Sequence, residues 1–259
     1  MKLNIVPAGR GVQWVKLGVR TFFKQPLALA GLFFLFMALM SILGMVPVLG
    51  SALALTLLPG ATLGLMAATR DANSGKFPMP VVLISAFRAG RQQLRSMLVL
   101  GALYAAGFLL VLAISALADG GKFARLYLIG GALSVELLQS TDFELAVLIA
   151  MVMYMPLSLL FWHAPALVHW YGISPVKSLF FSFVACIRNF WAFTAFGAVW
   201  LGLFLAMGMV IAMVGALLGS PELVGLIVFP GALLMAAMFF TSLNFTFTDC
   251  FEEGTESVD

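Results

Sequence analysis

The residues best suited to chemistry are few. His163 and His169 are the only histidines in the 259-residue chain, and six positions along a helix put them about 240° apart around its axis. One helix face therefore cannot offer both to a single metal, so no zinc or haem site, and no other cofactor, is expected. His163 falls in the inner-leaflet part of an apolar run. An imidazole there either hydrogen-bonds to a neighbouring helix or forms a proton or ligand site, and packing is the favoured reading. No other ionisable residue lies deep in an apolar run, whereas ion-coupled carriers need carboxylates or basic groups at that depth. Asn244, with Thr241 and Ser242, could line a polar cavity near the end of the last run, although such side chains more often bond to a helix backbone. Phosphate-binding loops, dinucleotide fingerprints, zinc-protease motifs and nucleophile elbows are missing from any usable context. The chain is not expected to be an enzyme.

What must position these residues is a set of long apolar segments. The chain is 63% hydrophobic and 10% charged, against about 25% charged in soluble domains. Its apolar residues fall in blocks of roughly 20, the number of helical residues that crosses about 30 Å of hydrocarbon. Six spans are expected, at 27–49, 51–69, 97–118, 145–168, 190–218 and 223–243. Each must be helical, because lipid offers no partner to unpaired amides and carbonyls. This is an all-α membrane fold, a single integral domain over 1–248 followed by an acidic cytoplasmic tail, 249–259.

Charge sets the orientation. Twelve of the 14 basic residues lie before the first span or in the loops after spans two and four, leaving Lys122 and Arg125 on the other side. The basic side is the cytoplasmic side, so a multi-pass inner-membrane protein with both termini in the cytoplasm is expected. A net charge of +3 spread this way argues against nucleic acid as a partner. Cys186 and Cys250 fall on the reducing side, so no disulfide is expected.

Each basic-side stretch before a hairpin has helical periodicity. Lys16, Arg20 and Lys24 line one side of the first, with Val15, Val19, Phe22 and Phe23 largely opposite. Arg88, Arg91 and Arg95 oppose Leu83, Phe87 and Leu94 in the second, and Ser174, Ser178 and Ser182 oppose Phe180, Phe183 and Ile187 in the third. The six basic residues are candidates for contact with phospholipid headgroups, at about 1 kcal/mol each. The second span of each hairpin holds a proline, Pro59, Pro165 and Pro230, expected to kink or break its helix. Three parallel units of interfacial helix plus hairpin, 9–70, 80–171 and 174–248, are the proposed organisation. Small pairs such as Gly60 with Gly64 and Gly215 with Gly219 allow close helix approach. The outer segment 119–144 either lies on the membrane surface or re-enters it.

The run Phe161-Trp162-His163-Ala164-Pro165-Ala166-Leu167, then Ile173-Ser174-Pro175-Val176-Lys177-Ser178-Leu179, then Arg188-Asn189 resembles uncharacterised bacterial inner-membrane families. These families are in turn distantly similar to the YciC type and to the membrane domain attached to some glycerophosphodiester phosphodiesterases. The resemblance implies a six-span membrane domain and carries over no catalytic residue. Two functions fit: a structural or accessory protein contacting lipid or a membrane partner, including a second copy, or a transporter or channel for a small or lipidic solute.

Overall fold

The computed structural model describes residues 2–46, 48–131, 134–218 and 221–252. Among them, six helices are long and apolar enough to cross a membrane. In chain order the elements are β1 (Lys2–Leu3), α1 (Gly9–Lys24), α2 (Pro26–Gly44), α3 (Leu49–Asn73), a 3-10 turn (Pro80–Ile84), α4 (Ser85–Arg88), α5 (Arg91–Asp119), α6 (Lys122–Ile129), α7 (Val135–Leu138), α8 (Thr141–Phe161), α9 (Ala164–Tyr171), α10 (Pro175–Arg188), α11 (Phe190–Leu218), α12 (Pro221–Cys250) and β2 (Phe251–Glu252). The spans are α2, α3, α5, α8 with α9, α11 and α12, so each of the six expected apolar runs holds a spanning helix, although the first ends at Gly44, short of 49, and the fourth is broken between Phe161 and Ala164. Several extend beyond their apolar stretch because polar end residues keep hydrogen-bonding along the helix once outside lipid.

Chain contacts gather into two compact units. The first holds 1–35, 64–83 and 185–259; the second holds 36–63 and 84–184. They cut across the stretches 9–70, 80–171 and 174–248. At the end of the described chain, Asp249 and Cys250 close α12 and 251–252 form β2. The rest of the acidic tail, Gly219 and residues 132–133 of the outer segment lie outside the described residues.

In the first unit, α1 packs on α11 and α12. Its buried residues, Gly11, Trp14, Val15, Gly18, Thr21 and Phe22, recur at three- and four-residue steps, the seam of a helix clasped along its length. Glycine is required at two of these. A Cβ on Gly18 would stand 2.7 Å from Ser242 Cα, and one on Gly11 would stand 2.7 Å from the Phe196 nitrogen. Lys16 and Arg20 line the exposed side. The 30 residues of α12 make a rod of about 45 Å, longer than the hydrocarbon core by several turns. Its final turns are buried on every side: Thr241 through Phe247 are all covered, which identifies a helix at the centre of a packed core.

In the second unit, α5 packs along α8 and meets α6 and α9. Leu55, Tyr104, Ala105, Val111, Ala150 and Leu157 form its core, with Phe108, Phe123 and Phe161 against it. Asp119 closes the C-terminal end of α5, its carboxylate accepting the Gly121 and Phe123 amides at 2.8 and 2.7 Å. The chain then turns through Gly120 and Gly121, both at positive φ, into α6, so the outer segment is helical on both sides of Gly130. The stretch expected to carry Arg88, Arg91 and Arg95 on one helix is instead divided. Gly90 adopts φ +110°, α4 ends at Arg88, and Arg91 begins the third span.

Candidate functional site

α8 and α9 form one span in two pieces, and the cause lies 19 residues away. In an unbroken helix the His163 amide would bond to the Leu159 carbonyl. Here that amide donates to Ser182 Oγ at 2.9 Å, and the Ser182 hydroxyl donates to the Leu159 carbonyl at 2.8 Å. The hydroxyl is thus inserted into the helical ladder, a recognised cause of helix bending. Pro165 lies in the first turn of α9, where its missing amide is tolerated and its ring prevents continuation from the preceding turn. His163 itself is wholly buried at the junction. Pro59 and Pro230 behave differently from Pro165: α3 and α12 run through them. α8 likewise continues through Pro156, a further proline inside a span.

The third periodic stretch, α10, supplies the inserting residue by turning its polar side inward. Ser178, Ser182, Ala185, Cys186 and Asn189 are buried, whereas Val176, Phe180 and Ile187 are exposed. This is the reverse of a water-soluble amphipathic helix and suits a helix with lipid outside and polar contacts within. Ser178 bonds within α10, to the Pro175 carbonyl.

A second constellation joins distant parts of the first unit. Asp249 accepts from Arg10 Nε and Nη2 at 2.8 Å each and from Trp14 Nε1 at 2.6 Å. The hydrogen bond to Asp249 holds the Arg10 guanidinium above its ordinary pKa. Asn189 Oδ1 accepts the Val6 amide at 2.8 Å, and Nδ2 donates to the Asn4 and Ala185 carbonyls at 3.0 Å each. β1 pairs antiparallel with β2, Lys2 opposite Glu252 and Leu3 opposite Phe251. Asn244 is part of the same unit: its Oδ1 accepts from Arg70 Nε at 3.2 Å, and Arg70 also lies 5.9 Å from the Phe247 ring. The partners of these side chains are protein groups, an arrangement that holds elements together. Charge and hydrophobic pattern could not reveal it, because the Arg10–Asp249 pair spans 239 positions.

The basic candidates separate into two sets. Lys16 and Arg20 are exposed on α1, while Lys24 Nζ reaches Asn73 Oδ1 at 3.0 Å. Arg88 is exposed at the end of α4, and Arg91 and Arg95 line a cleft at the start of α5 with Gln92, Ser96, Val99 and Pro175. The two cysteines are buried and not joined in a disulfide; burial pushes the Cys186 thiol above its usual pKa. Among the described residues no three His, Cys, Asp or Glu side chains converge on a point that could hold a metal ion.

Neither a family model nor a solved structure matches the chain. It is similar to a probable inner membrane protein of Burkholderia thailandensis, with 39% identity over 254 residues, covering 97% of this chain and 94% of that protein. With near end-to-end similarity and six apolar helices of spanning length, the chain belongs to the family of that protein and is a multi-pass inner-membrane protein.

Proposed function

We propose that the protein is a structural or accessory component of the inner membrane that engages anionic phospholipid with its basic side. In this reading α1 with Lys16 and Arg20, the end of α4 with Arg88 and the start of α5 with Arg91 and Arg95 face the cytoplasm, together with residues 2–3 and 251–252. The observation that carries it is the two-sided character of α1. One side is clasped by α11 and α12 and the other presents cations, so the helix is a fixed rail rather than a loose surface anchor. Each cation near an anionic surface contributes about 1 kcal/mol.

The buried hydroxyls support the same reading. Thr69, Thr241, Ser242 and Thr246 each bond to a carbonyl of their own helix, which suits packed helices better than a wetted solute path. The partner beyond lipid is either a second copy or another membrane protein. A transporter or channel is the second reading, favoured by the break in the fourth span beside buried His163.

Reconstitution distinguishes them. The accessory reading expects retention of phosphatidylglycerol in excess of phosphatidylcholine, with no protein-dependent flux of ions or small solutes. Solute movement that disappears in His163→Ala would overturn it in favour of transport.

A further inference from the structure

Resting on that lipid-contact reading, we propose that the cleft at the start of α5 is a site for the phosphodiester of one phospholipid molecule, whose acyl chains run down the adjoining face of α5. The cleft, about 660 Å³, is lined by Arg91, Gln92, Arg95, Ser96, Val99 and Pro175. Arg91 and Arg95 are four residues apart and so share a helix face. The ion pair found among the described residues is Arg10–Asp249, and neither cleft arginine takes part in one. Two guanidinium forks with no carboxylate paired to them among the described residues match a phosphate group, which they can bind through paired N–H donors. The Gln92 amide and Ser96 hydroxyl add uncharged donors beside them.

What selects a lipid over a soluble phosphate is the continuation of the same face. Below Arg91 and Arg95 come Val99, Leu103, Ala106 and Leu110, spaced by three or four residues and all exposed. The stripe lies within the third span. An amphiphile with its anion at the cleft would therefore meet cations at its headgroup and hydrocarbon-facing side chains along its tails. An inorganic or glycerol phosphate would use only the upper part. The cleft depends on the break at Gly90: a helix continuous from α4 would leave no free start to α5 at Arg91.

The test uses the full chain in nanodiscs of mixed phosphatidylglycerol and phosphatidylcholine, with retained lipids counted by native mass spectrometry. Arg91→Gln/Arg95→Gln removes both charges, and Lys16→Gln/Arg20→Gln removes the cations of the α1 rail. Removing two interfacial charges should weaken retention of one tightly held phosphatidylglycerol about thirtyfold, with unchanged thermal unfolding in lipid-free detergent. The α1 variant should keep that molecule. Glycerol phosphate and inorganic phosphate, added in detergent, should bind at least tenfold more weakly than short-chain phosphatidylglycerol. Equal binding of the soluble anions would overturn the lipid assignment in favour of a phosphate site. A phosphatidylglycerol preference that survives in the α5 variant but disappears in the α1 variant would overturn this site alone. No preference in the unmodified protein would overturn the lipid-contact reading as a whole.

Discussion

Replacing Ser182 with alanine should destabilise the protein out of proportion to one lost hydroxyl. The side chain satisfies two main-chain groups at once, the Leu159 carbonyl and the His163 amide. Side-chain bonds between membrane helices average about 0.6 kcal/mol, so two ordinary ones would give a floor of about 1 kcal/mol. A buried backbone group left without a partner costs about 1–3 kcal/mol. Direct re-pairing of Leu159 with His163 would require the span to straighten against Pro165, which cannot donate and whose ring crowds the preceding turn. The expected loss is therefore about 2–4 kcal/mol. Ser178→Ala is the internal control, because Ser178 is equally buried but bonds only to a carbonyl of its own helix, and its loss should stay below about 1 kcal/mol. Unfolding free energies in bicelles by steric trapping would measure both, and hydrogen exchange of peptides across 159–167 would report the His163 amide. Equal stabilities for the two variants, with unchanged protection at 163, would refute the inserted-hydroxyl account.

Gly18→Ala should cost about 1–3 kcal/mol by overpacking, since its Cβ would meet Ser242 backbone, whereas Gly31→Ala, with open space around it, should be neutral or stabilising by up to about 1 kcal/mol; thermal unfolding of the pair checks this. Arg10→Gln should lower stability by at most about 1 kcal/mol because the pair with Asp249 is partly exposed, and added salt should narrow the difference between variant and parent. Cysteines placed at Gln92 and Lys122 should react with an impermeant maleimide from opposite sides of the membrane, Gln92 from the cytoplasm; labelling of Gln92 from outside intact cells would reverse the orientation. Cys186 and Cys250, being buried, should stay unlabelled until the protein is denatured.

The membrane spans were legible because their signal is local: a helix of spanning length must be apolar along its whole run, and each run declares itself without reference to the others. The exposed cationic side of α1 was legible for the same reason. Non-local features were hidden. Ser182 reads as one of several polar residues on a periodic stretch, and only its placement against Leu159 turns it into the cause of a helix break. Pro165 drew attention to the right span, but its position inside the first turn of α9 could not be told from the mid-helix positions of Pro59 and Pro230. α10 shows how amphipathicity misleads near lipid, since the same alternation is compatible with either side facing in. Asn244 reads from sequence as a polar residue at a span end, but its hydrogen bond to Arg70, 174 positions away, has no local signature.

The pairing of residues 2–3 with 251–252, and of Arg10 with Asp249, ties the order of synthesis to the order of assembly. A growing polypeptide delivers Trp14 and its glycine-lined seam long before the ribosome has made the helix that covers them. The first unit therefore cannot close until the chain has been translated and inserted through α12, whereas the 84–184 segment has its packing partners α5, α6, α8 and α9 close at hand in the sequence. Biogenesis should leave α1 waiting, exposed to chaperones and proteases, as the last piece to find its place.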